Sequence, residues 1–292
     1  MENQTQRKII LITGATSGIG KAAALELAMQ GHHIILHGRD SNKINSAREE
    51  IMMRSNNSHI DTLIADLQSL YDVRQMAVTF NQKYTHLDVL INNAGSLSGN
   101  SRELTAEGNE KTIAVNLFAP FLLTGLLLAK LKASNSARII NISSSEHKNN
   151  AKPNFSNPQS ELGYGPLKTY GDAKLFLILI SQKLVRKLHE SGIKNITVNT
   201  MHPGAVASNF SIESDLGFLI KYLGKLARLF FKSNTQGADT TIYLATSEDA
   251  EGVTGKYFID RKPAKVGKKY NSIPNEEMIW DYCERQTGIS IL

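Results

Sequence analysis

The stretch Ile9-Ile10-Leu11-Ile12-Thr13-Gly14-Ala15-Thr16-Ser17-Gly18-Ile19-Gly20-Lys21 decides the fold. Lys8 to Thr13 is a short run rich in isoleucine, which reads as a buried strand. Lys21 to Gln30 is rich in alanine and leucine, which reads as a helix stopped by Gly31. Between them the glycines are spaced Gly-x-x-x-Gly-x-Gly. Glycines there let the backbone turn tightly, approach a pyrophosphate and pack the helix on the sheet. The helix N-terminus adds unpaired amide N–H groups and a favourable dipole. A glycine turn by itself also serves as plain structure. With a strand before it and a helix after it, the stretch predicts a dinucleotide site at Gly14, Thr16, Ser17, Gly18, Ile19 and Gly20.

Working outward, strand-like and helical runs alternate. His33–His37, Ile60–Ala65, Val89–Asn92, Arg138–Ser143 and Thr197–Met201 read as strands. Helical patterns lie at Leu70–Tyr84, Ala106–Leu131 and Tyr170–Ser191, and Ser41 reads as the cap of a polar helix reaching about Ser55. This alternation predicts an α/β fold: one Rossmann-like, doubly wound parallel sheet flanked by helices. The chain divides into a cofactor half (about 8–145), a catalytic and substrate part (about 146–260) and a C-terminal tail (261–292). Two segments break the rhythm. Glu146 to Pro166 reads as a long polar loop, and Asp215 to Phe231 as an amphipathic helical insert.

The 292 residues are 41% hydrophobic and 21% charged, which excludes disordered and fibrous classes. The formal net charge is +6. Its one local concentration is Arg261, Lys262, Lys265, Lys268 and Lys269, a solvated tail or a site of weak membrane-surface association. Nothing resembles a nucleic-acid module. One cysteine, Cys283, excludes an internal disulfide framework and a cysteine-rich metal site. His147, His189 and His202 have no metal-ligand spacing, so they read as surface or structural residues and no metal is expected. The longest apolar stretch, Leu117–Leu131, is interrupted by Pro120, Thr124, Gly125 and Lys130 and is shorter than the roughly 20 residues of a membrane span. It reads as a buried helix. With the polar start Met1 to Lys8, this makes the expected location cytoplasmic.

Tyr170 and Lys174 are four residues apart, on one face of a predicted helix. An ammonium beside a phenol favours the phenolate and would bring its pKa toward the working range. Such a pair also arises by chance on a helix surface. Other motifs accompany it in order: Asp66-Leu67, Asn92-Asn93-Ala94-Gly95, Asn116, Ser143-Ser144 and Pro203-Gly204. With the glycine turn, this series resembles the short-chain dehydrogenase/reductase family over roughly Ile9 to Phe258. The resemblance implies that Tyr170 is the acid/base and that Lys174 lowers its pKa and binds the nicotinamide ribose. It further implies that Ser144 polarises the substrate carbonyl and that Asn116 holds a water linking Lys174 to solvent. It also assigns Asp66, with Leu67, to the adenine side. Asn92 would support the fourth strand and the cofactor site, while Asn93, Ala94 and Gly95 line the adenosine side. Val206 would meet the carboxamide, with Ser208 nearby. Ser143 and Ser145 remain alternatives to Ser144.

The second strand ends His37-Gly38-Arg39-Asp40. Gly38 stands where a carboxylate would select NAD, and the Arg39 guanidinium matches a 2′-phosphate. NADP(H) is therefore expected over NAD(H), with Asp40 as the residue that could instead hold a ribose. The long interval from Ser144 to Tyr170 resembles the retinol-dehydrogenase-like branch. So do the stretches His202–Val206 and Gly255–Phe258 and the tail Glu276–Tyr282. The resemblance implies interconversion of a carbonyl and an alcohol on a hydrophobic small molecule. Reduction of a conjugated double bond and non-catalytic NADP(H) sensing are the alternatives. The insert Leu216–Phe231 would cover the substrate cleft, pack in the core or lie on a membrane. The helices at Ala106–Leu131 and Tyr170–Ser191 permit a homodimer.

Overall fold

In this computed structural model, residues 7–204 and 232–292 are described. Eight strands form one sheet in the order β3-β2-β1-β4-β5-β6-β7-β8. They are β1 (Ile9–Ile12), β2 (His33–Gly38), β3 (Ile60–Ile64), β4 (Val89–Asn92), β5 (Ala137–Ile142), β6 (Ile196–Met201), β7 (Tyr257–Ile259) and β8 (Lys262–Ala264). Every pairing is parallel except β7 with β8. The strand order reverses between β1 and β4, and crevices at such a reversal open at the carboxyl ends of the strands. The glycine turn and Asn92-Asn93 both lie there.

Strands β1, β2 and β4 are largely apolar because both faces of the sheet are covered there. Ile10, Ile12, Ile34, Leu36, Val89 and Ile91 pack with α1 (Gly18–Met29) and α2 (Ser41–Ser55). Leu11, Ile35, Leu90, Ile139 and Val198 point the other way, toward α3 (Leu70–Lys83) and α4 (Lys111–Lys132). They are followed on that side by α6 (Pro166–Glu190) and α8 (Ile273–Thr287). Two further helices are α5 (Glu146–Asn149), inside the segment expected as loop, and α7 (Asn234–Thr246). The last two strands carry no period long enough to be predicted.

Two local expectations are corrected. Asp40, not Ser41, caps α2: its carboxylate accepts from the Asn42 and Lys43 amides, both at 2.9 Å. A carboxylate one residue earlier reaches the orphan N–H groups of the first turn. The pattern from Ala106 becomes helix only at Lys111, where the Glu110 side chain accepts from Ile113 N at 2.7 Å.

Helix α4 is long and apolar enough to cross a membrane by length and composition, yet most of it is buried in the protein. It also contains a π-helical turn over Ala114–Phe118, with the Ala119 amide bonded to the Ala114 carbonyl. Pro120 has no N–H for the carbonyl four residues earlier, that of Asn116. The wider turn absorbs that mismatch and centres on Asn116. Helix α8 docks on α4 and α6: Trp280 meets Phe121 edge-on with ring centres 4.9 Å apart, and Glu276 pairs with Arg186.

Candidate active site

The glycine turn is braced from its neighbours. Thr13 Oγ1 accepts from the amides of Asn93 at 2.9 Å and Ala94 at 3.0 Å. Asn93 Nδ2 donates back to the carbonyls of Thr13 at 2.8 Å and Gly14 at 3.2 Å. Gly14 has φ +65°, and its amide donates to His37 Nδ1 at 3.2 Å. A Cβ on Gly20 would collide with the Asn93 side chain and the Gly14 carbonyl. Only glycine lets α1 begin this close to the turn.

The cradle fits a dinucleotide. No side chain caps α1 at Ser17, so its first-turn N–H groups face outward unsatisfied by capping. A Cβ on Gly18 would meet nothing within 4 Å, so the space over the turn is open. Gly38 is buried and its missing side chain is replaced by the Thr16 methyl. Arg39 beside it is exposed. The Asp40 carboxylate, the alternative ribose ligand, is already engaged by the start of α2.

Asp66 and Leu67 follow β3. Asp66 Oδ1 accepts from Gln68 N at 2.9 Å, and Leu67 is buried. Asn92 and Asn93 divide the work expected of Asn92. Asn93 holds the glycine turn, while Asn92 Nδ2 donates to Asn141 Oδ1 at 2.8 Å and braces β4 to β5. Gly95 is exposed at the rim. Pro203 and Gly204 follow β6, and Gly204 has φ +82°. Val206, Ser208 and the insert Leu216–Phe231 lie outside the described residues.

Beyond the end of β5, Ser144, Tyr170 and Lys174 come together, while Asn116 sits in the π-helical turn of α4. Ser144 is the hydrogen-bond partner of the Tyr170 hydroxyl. Ser143 Oγ instead donates to the Lys174 carbonyl at 3.0 Å, and Ser145 leads into α5. Ser143 and Ser144 thus have different partners, and all three serines lie past the end of β5. Lys174 is buried, and its Nζ donates to the Ile142 carbonyl at 2.9 Å. Asn116 Nδ2 donates to the carbonyls of Ser96 at 2.7 Å and Thr112 at 2.8 Å, which turns the amide over. Among the described residues its Oδ1 is buried with no protein partner, an acceptor suited to a water.

The electrostatics correct one expectation. The Tyr170 side chain keeps some exposure, but its hydroxyl end is enclosed. Lost hydration holds the phenol above its usual pKa; the Ser144 hydrogen bond opposes this, and the Glu146 charge adds to it. Burial also pulls Lys174 down to about 7. Desolvation is the leading cause on both groups, and the lowering of the phenol expected from the spacing is not seen.

His147 and His202 were expected at the surface or in structural roles. The structure buries His147, with its Nδ1 2.6 Å from the Ser144 carbonyl and 3.4 Å from the Tyr257 hydroxyl. His202 Nδ1 lies 2.6 Å from that same hydroxyl. The one sequence clue was that His147 stands three residues after Ser144. Among the described residues, no three His, Cys, Asp or Glu side chains gather as metal ligands.

Comparison with known proteins agrees with this arrangement. The sequence profile described as short chain dehydrogenase matches residues 8–216. The chain is 37% identical to the short-chain dehydrogenase TIC 32 B, chloroplastic, of Brassica napus over 279 residues, 93% of this chain and 86% of that protein. It is also 37% identical to human retinol dehydrogenase 14 over 296 residues, 97% of this chain and 87% of that protein. Among solved structures, the Pseudomonas aeruginosa RhlG/NADP active-site complex superimposes with a TM-score of 0.68 at 25% identity, covering 88% of this chain and 96% of that one. With a nucleotide-binding turn at the β1/β4 reversal and this match over most of its length, the chain belongs to the short-chain dehydrogenase family, on its retinol-dehydrogenase-like side.

Proposed function

We propose that this NAD(P)-dependent oxidoreductase uses NADP(H) and interconverts a carbonyl and an alcohol on a hydrophobic small molecule. The observation that carries the reading is the Ser144–Tyr170 hydrogen bond at the carboxyl end of the sheet, with the Lys174 ammonium behind the phenol. The bound nicotinamide supplies or accepts the hydride. A substrate oxygen between Ser144 and Tyr170 takes a hydrogen bond from the serine hydroxyl, which stabilises charge developing on that oxygen. Tyr170, kept protonated by burial, gives the oxygen its proton in reduction. Lys174 holds the phenol's environment and the ribose. Asn116 Oδ1, lacking a protein partner, holds the water through which protons return.

NADP(H) is preferred because Gly38 leaves no carboxylate at the end of β2, Asp40 is committed to capping α2, and Arg39 is exposed at the rim. The RhlG complex with NADP supports the same choice in a related fold. Retinol dehydrogenase 14, by its name, acts on a retinoid alcohol, which supports an apolar substrate here. Lys265, Lys268 and Lys269 supply charge for a weak membrane-surface contact, tested by co-sedimentation with anionic vesicles. A homodimer through α4 and α6 has little of α4 to use, since Thr112–Thr124 are buried within one chain.

The test is an NADPH-oxidation screen over aldehydes, ketones and quinones of graded hydrophobicity, with NADH as control, on the wild type and Tyr170→Phe. Turnover of apolar carbonyls that Tyr170→Phe loses by 100-fold or more, with NADPH affinity retained, supports the reading. A fully active Tyr170→Phe refutes it. Consumption of an enone without attack on its saturated analogue would favour double-bond reduction. NADPH binding with no turnover of any carbonyl would favour a sensor.

A further inference from the structure

His147 packs edge-on against Tyr257, with ring centres 5.0 Å apart. The Ser144 carbonyl is an acceptor, so the ring nitrogen 2.6 Å away must carry a hydrogen. The Ser144 carbonyl also takes the His147 main-chain amide at 3.2 Å. With the His147 hydrogen facing it at 3.4 Å, the Tyr257 hydroxyl is left to donate to His202 Nδ1 at 2.6 Å. One assignment of hydrogens accounts for all three contacts: Nδ1–H on His147, O–H on Tyr257 and a bare Nδ1 on His202. Burial keeps His147 neutral, pulled down to about 4; the bond to the Ser144 carbonyl opposes this most, Lys148 and His202 add to the shift, and Glu146 opposes it.

Ser144 is therefore held from two sides. Its hydroxyl oxygen accepts from the Glu146 amide at 3.2 Å, which leaves its hydrogen for another acceptor. Its carbonyl is pinned by the His147 ring. The main chain here has just left β5 and entered a four-residue helix, and besides the ring that carbonyl takes only the longer bond from the His147 main-chain amide. Among the described residues, His147 Nε2 is meanwhile buried with no partner, a cost that packing alone does not explain. A phenylalanine would fill the space without it.

We propose that His147 is a positioning residue for Ser144: its Nδ1–H, backed by Tyr257 and His202, fixes the strand-end peptide so that the serine hydroxyl stays on Tyr170. The inference rests on the reading of Ser144 as the group that meets the substrate oxygen. It makes no contact with substrate or nucleotide part of the role.

The experiment compares His147→Phe, which keeps the packing but has no N–H, with His147→Asn, whose amide N–H falls near the place of Nδ1–H. With the best substrate of the screen, His147→Phe is expected to lower kcat at least tenfold, with KM for NADPH within twofold of wild type. His147→Asn is expected to recover most of that loss, even where its melting temperature is the lower of the two. Wild-type kcat in His147→Phe, or equal losses in both variants, overturns the proposal. Ser144→Ala run in parallel separates the two ideas: wild-type turnover in that variant means the reading of Ser144 has failed, whatever His147 does. Where a variant does not fold, 15N NMR of wild-type His147 decides. A protonated, pyrrole-type Nδ1 and a pyridine-type Nε2 through pH 6–8 support the bond to Ser144, and the opposite tautomer overturns it.

Discussion

Lys174 Nζ sits 5.6 Å from the centre of the Tyr170 ring while giving a 2.9 Å hydrogen bond to the Ile142 carbonyl. The Lys174 amine is thus tied to the end of β5, with the phenol ring beside it. Burial acts on both partners in opposite senses: it raises the phenol and lowers the amine to about 7. The pair is poised as a proton donor more than as a base.

That poise has a direction in pH. Oxidation of an alcohol needs the phenolate, and the phenol's pKa lies above its usual value of 10. Below that pKa the reactive fraction grows about tenfold per pH unit. The rate of alcohol oxidation should therefore climb from pH 7 to 10 with a log slope approaching +1, while carbonyl reduction should gain nothing over that range. Steady-state kcat/KM profiles in both directions check it. A flat oxidation profile would contradict the assignment.

Arg39 and Asp40 should separate cleanly. If Arg39 meets the 2′-phosphate as proposed, Arg39→Ser loses roughly 1.5–3 kcal/mol, so the NADPH Kd should rise about tenfold or more while NADH changes little. Asp40→Ala removes the cap of α2 and should lower the urea midpoint of unfolding with cofactor preference unchanged. Cofactor titrations and urea unfolding on both variants give the two readouts.

His37 ties the glycine turn to the sheet in its neutral form. Its Nδ1 accepts from Gly14 N, its Nε2 bonds the Ala65 carbonyl at 3.1 Å, and burial holds it down at about 4 against an ordinary 6.5. The folded-state value is depressed, so its contribution is whole above pH 6.5 and is lost as pH falls toward 4. The span corresponds to about 3 kcal/mol as an upper figure. Urea midpoints should drop between pH 6.5 and 4 in the wild type, and drop less in His37→Gln.

Trp280 is fully enclosed between α8, α4 and α6. Trp280→Ala should cost about 3–5 kcal/mol, the usual penalty for emptying a large buried site. Chemical denaturation measures it. A loss under 1 kcal/mol would mean that α8 is only loosely docked.

Much of this protein was legible in local sequence. Periodicity located six of the eight strands within a residue or two, because those strands are buried on both faces and read as apolar runs. The last two, Tyr257–Ile259 and Lys262–Ala264, are three residues each and carry no such signal. The glycine turn was readable because its backbone geometry needs that residue type at Gly14 and Gly18. Asn93 was harder: its role comes from reaching across from β4 to β1, which no spacing encodes.

The chain's order of strands and helices, its nucleotide turn and its Tyr170/Lys174 pair were determined by the sequence itself, since each depends on neighbours a few residues apart. The tertiary structure alone decided which serine faces Tyr170, that Asp40 is spent on a helix cap, that Pro120 and Asn116 share a widened turn, and that His147 stands behind Ser144. It also decided the protonation balance of Tyr170 and Lys174. Those outcomes depend on burial and on contacts between distant segments, and hydration is lost only when the segments close around a group.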